Sequence, residues 1–329
     1  MSKLRFGIIG CGNMGSGHMR QIAEAKPRDL EVTACADLDP TFAQAMADKF
    51  GLTCYEDGYQ LMDSGDIDAV LIATPHFFHP PLAIHAARRG LHVLCEKPIA
   101  VTVGPARLMV EECRKAKVAL GVVFHQRTMP SVRAIRKVVE SGKLGEIYRV
   151  RMICSNWWRS QLYYDSGQWR GTWEGEGGGI LMNQGPHSLD QFLMFAGMPK
   201  RVIASLSTRM HKIEVENTAN IILEYEGGKN AYIYATTAQG PGSHEWVIAG
   251  NKGALVADAD GIRVGKLKAP LDEFTKKTPH GAGKPQTTWR EVKQTGKFGK
   301  HLEVIKRFAA HILHGKELIA DAQDGLDEV

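Results

Sequence analysis

The sequence lacks the features that mark secreted, membrane and metal-binding proteins. Its 329 residues contain only six cysteines, and no two of them form a C-x-x-C pair or a spacing typical of a metal site. No apolar run approaches the length that crosses a bilayer. The first strand-like segment begins at Leu4, too early to follow a signal peptide. We therefore expect a cytoplasmic protein that binds no metal and no membrane.

The sequence also has little excess of one sign of charge over the other. The 41 lysines and arginines only slightly exceed the 36 aspartates and glutamates, for a formal net charge of +5. Part of this excess lies in one lysine-rich segment, Lys266 to Lys300, which is typical of a solvated loop. We therefore expect no nucleic-acid partner. The length and the 43% hydrophobic content suffice for two globular domains.

A glycine-rich turn follows the first predicted strand. Gly10, Gly12 and Gly15 have the G-x-G-x-x-G spacing. In such a turn the first glycine permits a tight bend, the second lets a pyrophosphate approach bare backbone, and the third lets the next helix pack closely on the strand. That helix presents free N–H groups and its positive dipole end to the phosphates. The segment therefore predicts a dinucleotide-binding site.

The predicted dinucleotide is NAD. A second strand-like segment, Leu30–Ala36, ends at Asp37, where a carboxylate would hold the ribose 2′-hydroxyl. The same carboxylate would repel the 2′-phosphate of NADP, and Leu38 offers no compensating positive charge. Asn13 and Met14, at the start of the helix, complete the cofactor contacts that we expect from this turn.

Strand-like and helix-like segments alternate through residues 1–124, which we expect to form an NAD(P)-binding Rossmann domain. The alternation predicts right-handed crossovers and a doubly wound parallel sheet. The predicted strands are Leu4–Ile9, Leu30–Ala36, Thr53–Tyr55, Asp68–Ala73, His92–Cys95 and Val118–Phe124.

Residues 125–329 show β-rich runs separated by turn signals such as E-G-G-K-N. They predict a substrate-binding α+β domain with an open, mainly antiparallel sheet and helices on one face. The other face would remain free for a second copy of the chain, so we expect a homo-oligomer, a dimer or tetramer, formed through this sheet.

The run E-K-P places Glu96 and Lys97 just beyond the fifth predicted strand, at the edge of an α/β sheet where ligands bind. A lysine there can reach both the nicotinamide and a reacting hydroxyl. The bond from Lys97 to Pro98 is a candidate cis peptide, which would fix the direction of the lysine.

Other residues follow strands at the same edge. Thr74–Pro75 ends the fourth strand and is expected to line the cofactor cleft, and His79 opens the next helix, where binding and capping are equally plausible roles. His125 and Arg127 follow the sixth strand and could face the cleft, with His125 as a substrate contact. His18, inside a helix, is expected to be structural or exposed.

A second constellation spans Gly177 to Asp190, G-G-G-I-L-M-N-Q-G-P-H-S-L-D. Pro186 is well placed to begin a helix, which puts His187 in its first turn. The dipole there favours a neutral imidazole able to accept a proton. Asp190 could steady the ring from the same helical face, and Asn183 could position a substrate.

A third cluster combines four tryptophans, at positions 157, 158, 169 and 173, with tyrosines and arginines. Flat aromatic faces suit the C–H face of a sugar or cyclitol ring, and arginines bind hydroxyls or carboxylates. The expected substrate contacts are Arg159, Tyr163, Trp169 and Arg170. An ordinary aromatic core or a subunit contact is the alternative explanation.

Taken together, these features resemble the Gfo/Idh/MocA family of oxidoreductases. The residues that carry the resemblance are G-C-G-N-M-G at 10–15, Asp37, T-P at 74–75, E-K-P at 96–98 and the glycine-to-aspartate run at 177–190. The resemblance implies a Rossmann domain followed by an open-sheet α/β domain. It also implies NAD(P)-linked oxidation of a secondary alcohol on a sugar or cyclitol. The aromatic stretch looks like the branch that holds inositol, glycoside and some dihydrodiol dehydrogenases.

Asn183 departs from the family pattern, because many members carry an aspartate there. Asparagine cannot take up a proton at neutral pH, so the predicted catalytic set is Lys97, His187 and a purely positioning Asn183. Either Lys97 or His187 could accept the proton. Three alternatives stay open: an NAD-retaining glycosidase or lyase that oxidises its substrate transiently, a dihydrodiol dehydrogenase, and a non-catalytic NAD-bound sensor.

Overall fold

The computed structural model describes residues 3–167, 169–279 and 281–329. The strands are β1 (Leu4–Ile9), β2 (Leu30–Ala36), β3 (Thr53–Tyr55), β4 (Ala69–Ile72), β5 (His92–Cys95), β6 (Leu120–Val122), β7 (Ile147–Cys154), β8 (Arg201–Ser207), β9 (Thr218–Glu224), β10 (Asn230–Thr236), β11 (His244–Gly250), β12 (Gly253–Asp258), β13 (Gly261–Leu267) and β14 (Thr287–Glu291). The helices are α1 (Asn13–Ala25), α2 (Pro40–Phe50), α3 (Gly58–Asp63), α4 (His79–Arg88), α5 (Val103–Ala116), α6 (Pro130–Glu140), α7 (Gln161–Asp165), α8 (Trp173–Glu176), α9 (Pro186–Ala196), α10 (Leu271–Lys277), α11 (Lys300–His314) and α12 (Ala322–Glu328).

The chain divides into two compact units. The first comprises Met1–Thr128, Gly175–Gly177 and Phe298–Val329, and the second comprises Met129–Glu174 and Gly178–Lys297. The last two helices therefore belong with the first unit, whereas the sequence-based division placed everything after residue 124 in the second domain.

The first unit is built on a six-stranded parallel sheet in the order β3-β2-β1-β4-β5-β6. This is the doubly wound arrangement that the alternating pattern predicts, and β4 is buried along its whole length. The returning helix α11 buries Phe308 against Phe6, with ring centroids 6.0 Å apart. A Cβ on Gly121 of β6 would lie 2.7 Å from the Phe308 ring, so glycine at this position allows α11 to pack closely on the sheet.

The second unit contains an eight-stranded sheet in the order β14-β13-β12-β11-β7-β10-β9-β8. The sheet is mainly antiparallel as predicted, and its one parallel pair among the described residues joins β7 to β10. One face packs on α6 and α9, where Trp246 contacts Phe192 and Phe195 at centroid distances of 6.1 and 5.1 Å. Strand β8 is exposed along its whole length.

The part of the chain that the structure describes contains neither a membrane-spanning helix nor a metal-binding cluster of side chains. None of the helices is both long enough and apolar enough to cross a bilayer. No group of three or more histidine, cysteine, aspartate or glutamate side chains is arranged to hold a metal ion in the part of the chain that is described.

Candidate active site

The glycine-rich turn leaves room for a dinucleotide at one position and forbids side chains at two others. Gly10 has φ +93°, and a Cβ there would lie 2.6 Å from the Ala73 carbonyl oxygen. A Cβ on Gly15 would lie 1.8 Å from the Gly10 carbonyl oxygen, so α1 approaches the turn more closely than any side chain allows. A Cβ on Gly12 would meet no atom within 4 Å. The turn therefore offers bare backbone to a ligand at Gly12.

Helix α1 begins without a side-chain cap. Gly12 is its N-cap residue and supplies no side-chain hydrogen bond, so the amide groups of the first turn depend on another partner. A pyrophosphate is the partner that suits uncapped amides at a helix N-terminus. Asn13 and Met14 are exposed beside this turn. These residues fit the diphosphate of NAD.

Asp37 is fixed at the end of β2 by two backbone amides. Its Oδ2 accepts a hydrogen bond from the Cys11 amide at 2.6 Å, and its Oδ1 accepts one from the Asp39 amide at 2.9 Å. The carboxylate is thus tied to the glycine-rich turn. Leu38, the next residue, is 76% exposed. The structure therefore places an anchored negative charge where the sequence predicts the ribose site. The next residue, Leu38, is uncharged and does not offset it.

The E-K-P segment is held from two sides. Glu96 is 6% exposed, and its Oε1 accepts a hydrogen bond from His18 Nε2 of α1 at 2.8 Å. Its Oε2 accepts one from the Lys97 amide at 3.2 Å. The Lys97–Pro98 bond is cis, as the sequence suggested. Glu96, expected among the cofactor contacts, thus uses both carboxylate oxygens within the protein. His18 makes the contact that sequence patterns missed, because the two residues are 78 positions apart.

His79 joins the ends of two strands. Its Nδ1 lies 2.7 Å from the Pro98 carbonyl oxygen, and its Nε2 lies 2.8 Å from the Thr74 carbonyl oxygen. The side chain is fully buried. Both ring nitrogens thus contact backbone carbonyls of other segments, and neither caps the helix that His79 begins. Pro75 remains exposed at this edge of the sheet.

Burial controls the ionisation of several groups around Lys97. Burial lowers the pKa of Lys97, although the nearby charges of Glu96, Glu328 and Glu176 oppose the shift. Burial would by itself raise the pKa of Glu96, but the hydrogen bond and charge of His18 bring it well below its usual range. The segment therefore contains a lysine whose pKa is lowered, Lys97, next in sequence to a carboxylate that stays ionised, Glu96.

Three further histidines lie near this segment. Burial lowers the pKa of His76 to about 3, and its Nδ1 lies 3.1 Å from the Glu176 carbonyl oxygen. No sequence motif pointed to this residue. Burial lowers the pKa of His125 to about 3 as well. The His125 ring stacks on His301 of α11 at a centroid distance of 3.9 Å. These imidazoles are neutral near pH 7.

Arg127 contacts the C-terminal helix α12. Its guanidinium pairs with both carboxylate oxygens of Asp324, at 2.9 and 2.8 Å, and also donates to the Ile319 carbonyl oxygen at 3.1 Å. Asp324 is part of the capping box that begins α12. Arg127 therefore anchors the last helix to the end of β6.

In the second unit, α9 begins at Pro186 as predicted and puts His187 in its first turn. His187, Asp190 and Gln191 are buried, at 7%, 2% and 2% exposure. The loop before the helix, 177–184, carries Asn183, which is half-buried. A neutral amide and an imidazole thus lie a few residues apart at one helix end.

Glu216 shapes that loop, and no sequence motif pointed to it. Its carboxylate accepts hydrogen bonds from the amides of Gly179 and Leu181, at 3.0 and 3.1 Å, and its carbonyl accepts one from Ile180 at 2.9 Å. A Cβ on Gly179 would lie 1.7 Å from the Glu216 carbonyl oxygen. Glycine at 179 is therefore needed for the close packing of this loop on Glu216.

The aromatic stretch forms one cluster around Tyr163. The Tyr163 hydroxyl accepts hydrogen bonds from Arg170 at 2.6 Å and from Gln184 at 3.1 Å. Arg170 lies over the Tyr163 and Trp169 rings, at 4.4 and 4.5 Å from their centroids. Arg159 lies over Tyr163 from 5.0 Å. The four predicted contacts are thus brought together, and Gln184 joins them to the loop that carries Asn183.

Comparison with known proteins decides the family. The GFO/IDH/MocA oxidoreductase family, NAD-binding Rossmann fold, matches residues 4–124, and the GFO/IDH/MocA C-terminal domain matches residues 132–256. The chain belongs to the Gfo/Idh/MocA family. The resemblance drawn from the motifs is therefore confirmed, and the protein is an NAD-binding oxidoreductase.

Two curated Gfo/Idh/MocA relatives come from Rhizobium meliloti. The rhizopine catabolism protein MocA is 28% identical over 87% of this chain and 90% of its own length. An inositol 2-dehydrogenase is 26% identical over 98% of this chain and 93% of its own length. Among solved structures, the WlbA dehydrogenase from Bordetella pertussis, in complex with NADH and UDP-GlcNAcA, is 28% identical with a TM-score of 0.82. The alignment covers 99% of this chain and 93% of that one. The Gfo/Idh/MocA chain described here is thus similar to dehydrogenases of sugars and cyclitols.

Proposed function

We propose that this Gfo/Idh/MocA protein oxidises a secondary hydroxyl of a sugar, glycoside or cyclitol, with NAD as the hydride acceptor. The observation that carries the proposal is Lys97. It follows β5 in the NAD-binding unit, and burial lowers the pKa of its amine. The relatives support the substrate class, because one is named an inositol 2-dehydrogenase and the WlbA structure contains a nucleotide sugar.

Lys97 and His187 are proposed to act on the same hydroxyl. His187 accepts the proton as general base, and Lys97 orients the oxygen and stabilises the developing alkoxide. A lysine with a lowered pKa can also be the proton acceptor itself. In that case Lys97 takes the proton and His187 orients the hydroxyl. NAD supplies the acceptor carbon for the hydride. Asn183 holds the substrate through its amide, because asparagine cannot take up the proton.

The proposed substrate contacts lie around the Tyr163 cluster. Tyr163, Trp169 and Arg170 form a packed cluster of rings and a guanidinium. Trp169 is 37% exposed, which leaves part of its ring for the C–H face of a sugar. Arg159 and His125 complete the proposed set of contacts.

A panel of polyols, inositols and glycosides tests the proposal. Each is mixed with the enzyme and NAD, and NADH absorbance is followed. We expect turnover with at least one compound, and a loss of at least about 100-fold in kcat for Lys97→Met and for His187→Asn, because each removes a group that acts on the reacting hydroxyl. His85→Asn, a surface variant, is the matched control. Near-normal turnover in His187→Asn would remove His187 from the mechanism.

Product without net NADH would instead favour an NAD-retaining glycosidase or lyase, and inactivity across the panel would favour a sensor.

We also propose that a second copy of the chain binds the open face of the eight-stranded sheet. Ile203 and Ile222 face each other across β8 and β9, and they are 45% and 48% exposed. An aspartate at position 222 would place a charge in such an interface. We expect Ile222→Asp to lower the mass measured by light scattering, whereas Leu162→Asp, at an exposed site outside the sheet, leaves it unchanged. A monomeric wild-type protein at micromolar concentration would refute this interface.

A further inference from the structure

A buried contact between a histidine and a carboxylate connects the dinucleotide-binding helix to the E-K-P segment. His18 lies on α1, five residues after the helix begins, and Glu96 lies directly after β5. They are 1% and 6% exposed, and the distance from His18 Nε2 to Glu96 Oε1 is 2.8 Å. Taking a carboxylate out of water is costly unless it is paired and hydrogen-bonded. Because a buried charge at this position is costly, we expect the pair to have a functional role.

The pair fixes the backbone of Lys97 from its N-terminal side. The second carboxylate oxygen of Glu96 accepts the Lys97 amide at 3.2 Å, and the Glu96 amide donates to the Ile72 carbonyl of β4 at 2.9 Å. On the C-terminal side, the Pro98 carbonyl is held by His79. The backbone around Lys97 is thus tied on one side to α1 and on the other to α4.

Helix α11 covers the pair with an aromatic ring. The His301 ring meets His18 edge-on at a centroid distance of 5.1 Å and lies against His125 at 3.9 Å. These rings limit the access of water to the carboxylate. A charge in such surroundings acts more strongly on its neighbours than a solvated charge does.

We propose that His18 and Glu96 are positioning residues for Lys97: they hold its backbone in register with the NAD-binding turn and supply a buried negative charge that attracts its ammonium group. This inference rests on the role proposed for Lys97. His18 acts through Glu96, because its hydrogen bond keeps that carboxylate ionised. Without a donor at position 18, burial favours the protonated carboxyl, and the negative charge beside Lys97 is lost.

The surroundings of Lys97 fix the sign of the expected effect. The titratable groups around it come from six segments of the first unit: Glu96, His76, His79, His125, Glu176, His301 and Glu328. Of these, the carboxylates of Glu96, Glu328 and Glu176 raise the pKa of Lys97, with Glu96 the strongest. Removal of the Glu96 charge must therefore lower the pKa of Lys97 further.

Site-resolved acylation of Lys97 tests this inference without any substrate. The enzyme is treated with acetic anhydride over a range of pH, and the pH of half-maximal Lys97 labelling is measured by mass spectrometry. We expect this midpoint to fall by about one unit in Glu96→Gln and in His18→Leu, because the opposing charge is lost. His18→Gln keeps a donor that can reach Glu96, so it should restore a midpoint near the wild-type value.

A second histidine–carboxylate pair is the matched control. His85 Nε2 and Asp63 Oδ1 are also 2.8 Å apart, but this pair lies on the surface of α3 and α4. His85→Leu and Asp63→Asn should leave the Lys97 midpoint unchanged. A folded Glu96→Gln protein with a wild-type midpoint would overturn the inference, as would failure of His18→Gln to restore what His18→Leu removes.

Folding of the variants is checked by thermal melting. Should a single variant fail to fold, the double variant His18→Leu with Glu96→Leu leaves no buried charge unpaired. It must still lower the Lys97 midpoint, and a wild-type midpoint there would also overturn the inference. The readout is separate from turnover, so loss of dehydrogenase activity in the polyol panel would contradict the proposed function without changing this result.

Discussion

Asp37→Asn should shift the cofactor preference of the enzyme from NAD towards NADP. The carboxylate is held by the amides of Cys11 and Asp39, at 2.6 and 2.9 Å, so it cannot rotate away from a 2′-substituent on the ribose. Asparagine keeps the shape of the side chain and one oxygen acceptor while removing the charge. The change therefore removes the charge of Asp37 together with one of its two amide hydrogen bonds.

The size of the shift follows from Coulomb's law. Two unit charges about 4 Å apart interact with about 4 kcal/mol at an effective dielectric constant of about 20. Asp37 is only half-buried, so solvent screening reduces this repulsion. A remaining effect of roughly 1.5–3 kcal/mol corresponds to about 10- to 100-fold in the ratio of dissociation constants for NADPH and NADH.

Fluorescence titration with NADH and NADPH measures that ratio directly. The matched control is Asp39→Asn, which removes the same charge two residues further on, where the carboxylate caps α2 through the Thr41 amide at 2.9 Å. We expect the ratio to change in Asp37→Asn and to stay constant in Asp39→Asn. A ratio that stays within about twofold of wild type in Asp37→Asn would refute the reasoning about the anchored charge.

Three further outcomes are expected. Gly15→Ala should abolish NAD binding or folding, because its Cβ would lie 1.8 Å from the Gly10 carbonyl, whereas Gly17→Ala on the same helix meets open space and should be tolerated when both are titrated with NADH. Glu216→Ala should lower kcat about tenfold or more in the polyol assay and leave NADH affinity unchanged, because it frees the loop amides of the second unit only. His76→Gln should reduce acid sensitivity. The folded pKa of His76 is about 3 against an ordinary 6.5, so its contribution to stability is complete above pH 6.5 and is lost as the pH falls towards 3. Urea unfolding at several pH values should show a slope smaller by about 1.4 kcal/mol per pH unit in the variant, and an unchanged slope would contradict this assignment.

The parts of the fold that the sequence predicted are those governed by local chemistry. The buried run of β4 and the G-x-G-x-x-G spacing of the first turn are patterns of nearby residues in the sequence, so they can be read from it directly. Predicted and observed ends differ by one or two residues, as for β6, which is Leu120–Val122 instead of Val118–Phe124. The residues just outside such a strand can still bond to its neighbour, as Ala119 and Val123 do with β5, so composition does not locate the assigned ends.

The parts that the sequence missed depend on contacts between distant residues. The return of α11 to the first sheet is decided by Phe308 packing on Gly121, and neither residue type signals the other. The same holds for Glu216, whose carboxylate serves a loop more than thirty residues earlier. The parallel pairing of β7 with β10 was also hidden, because register depends on the whole sheet.

Residues of one motif have different roles: some hold the local structure, and others are proposed to act on the substrate. In E-K-P, both carboxylate oxygens of Glu96 and the carbonyl of Pro98 are held inside the protein, whereas Lys97 carries the amine to which we assign a role at the reacting hydroxyl. In the second motif, Gly179 is required by the Glu216 backbone, whereas His187 carries the acid–base chemistry that we propose. Substitutions within a motif should therefore fall into two groups. Those at holding residues change stability and the environment of a neighbour, and those at reacting residues change turnover while the fold stays intact.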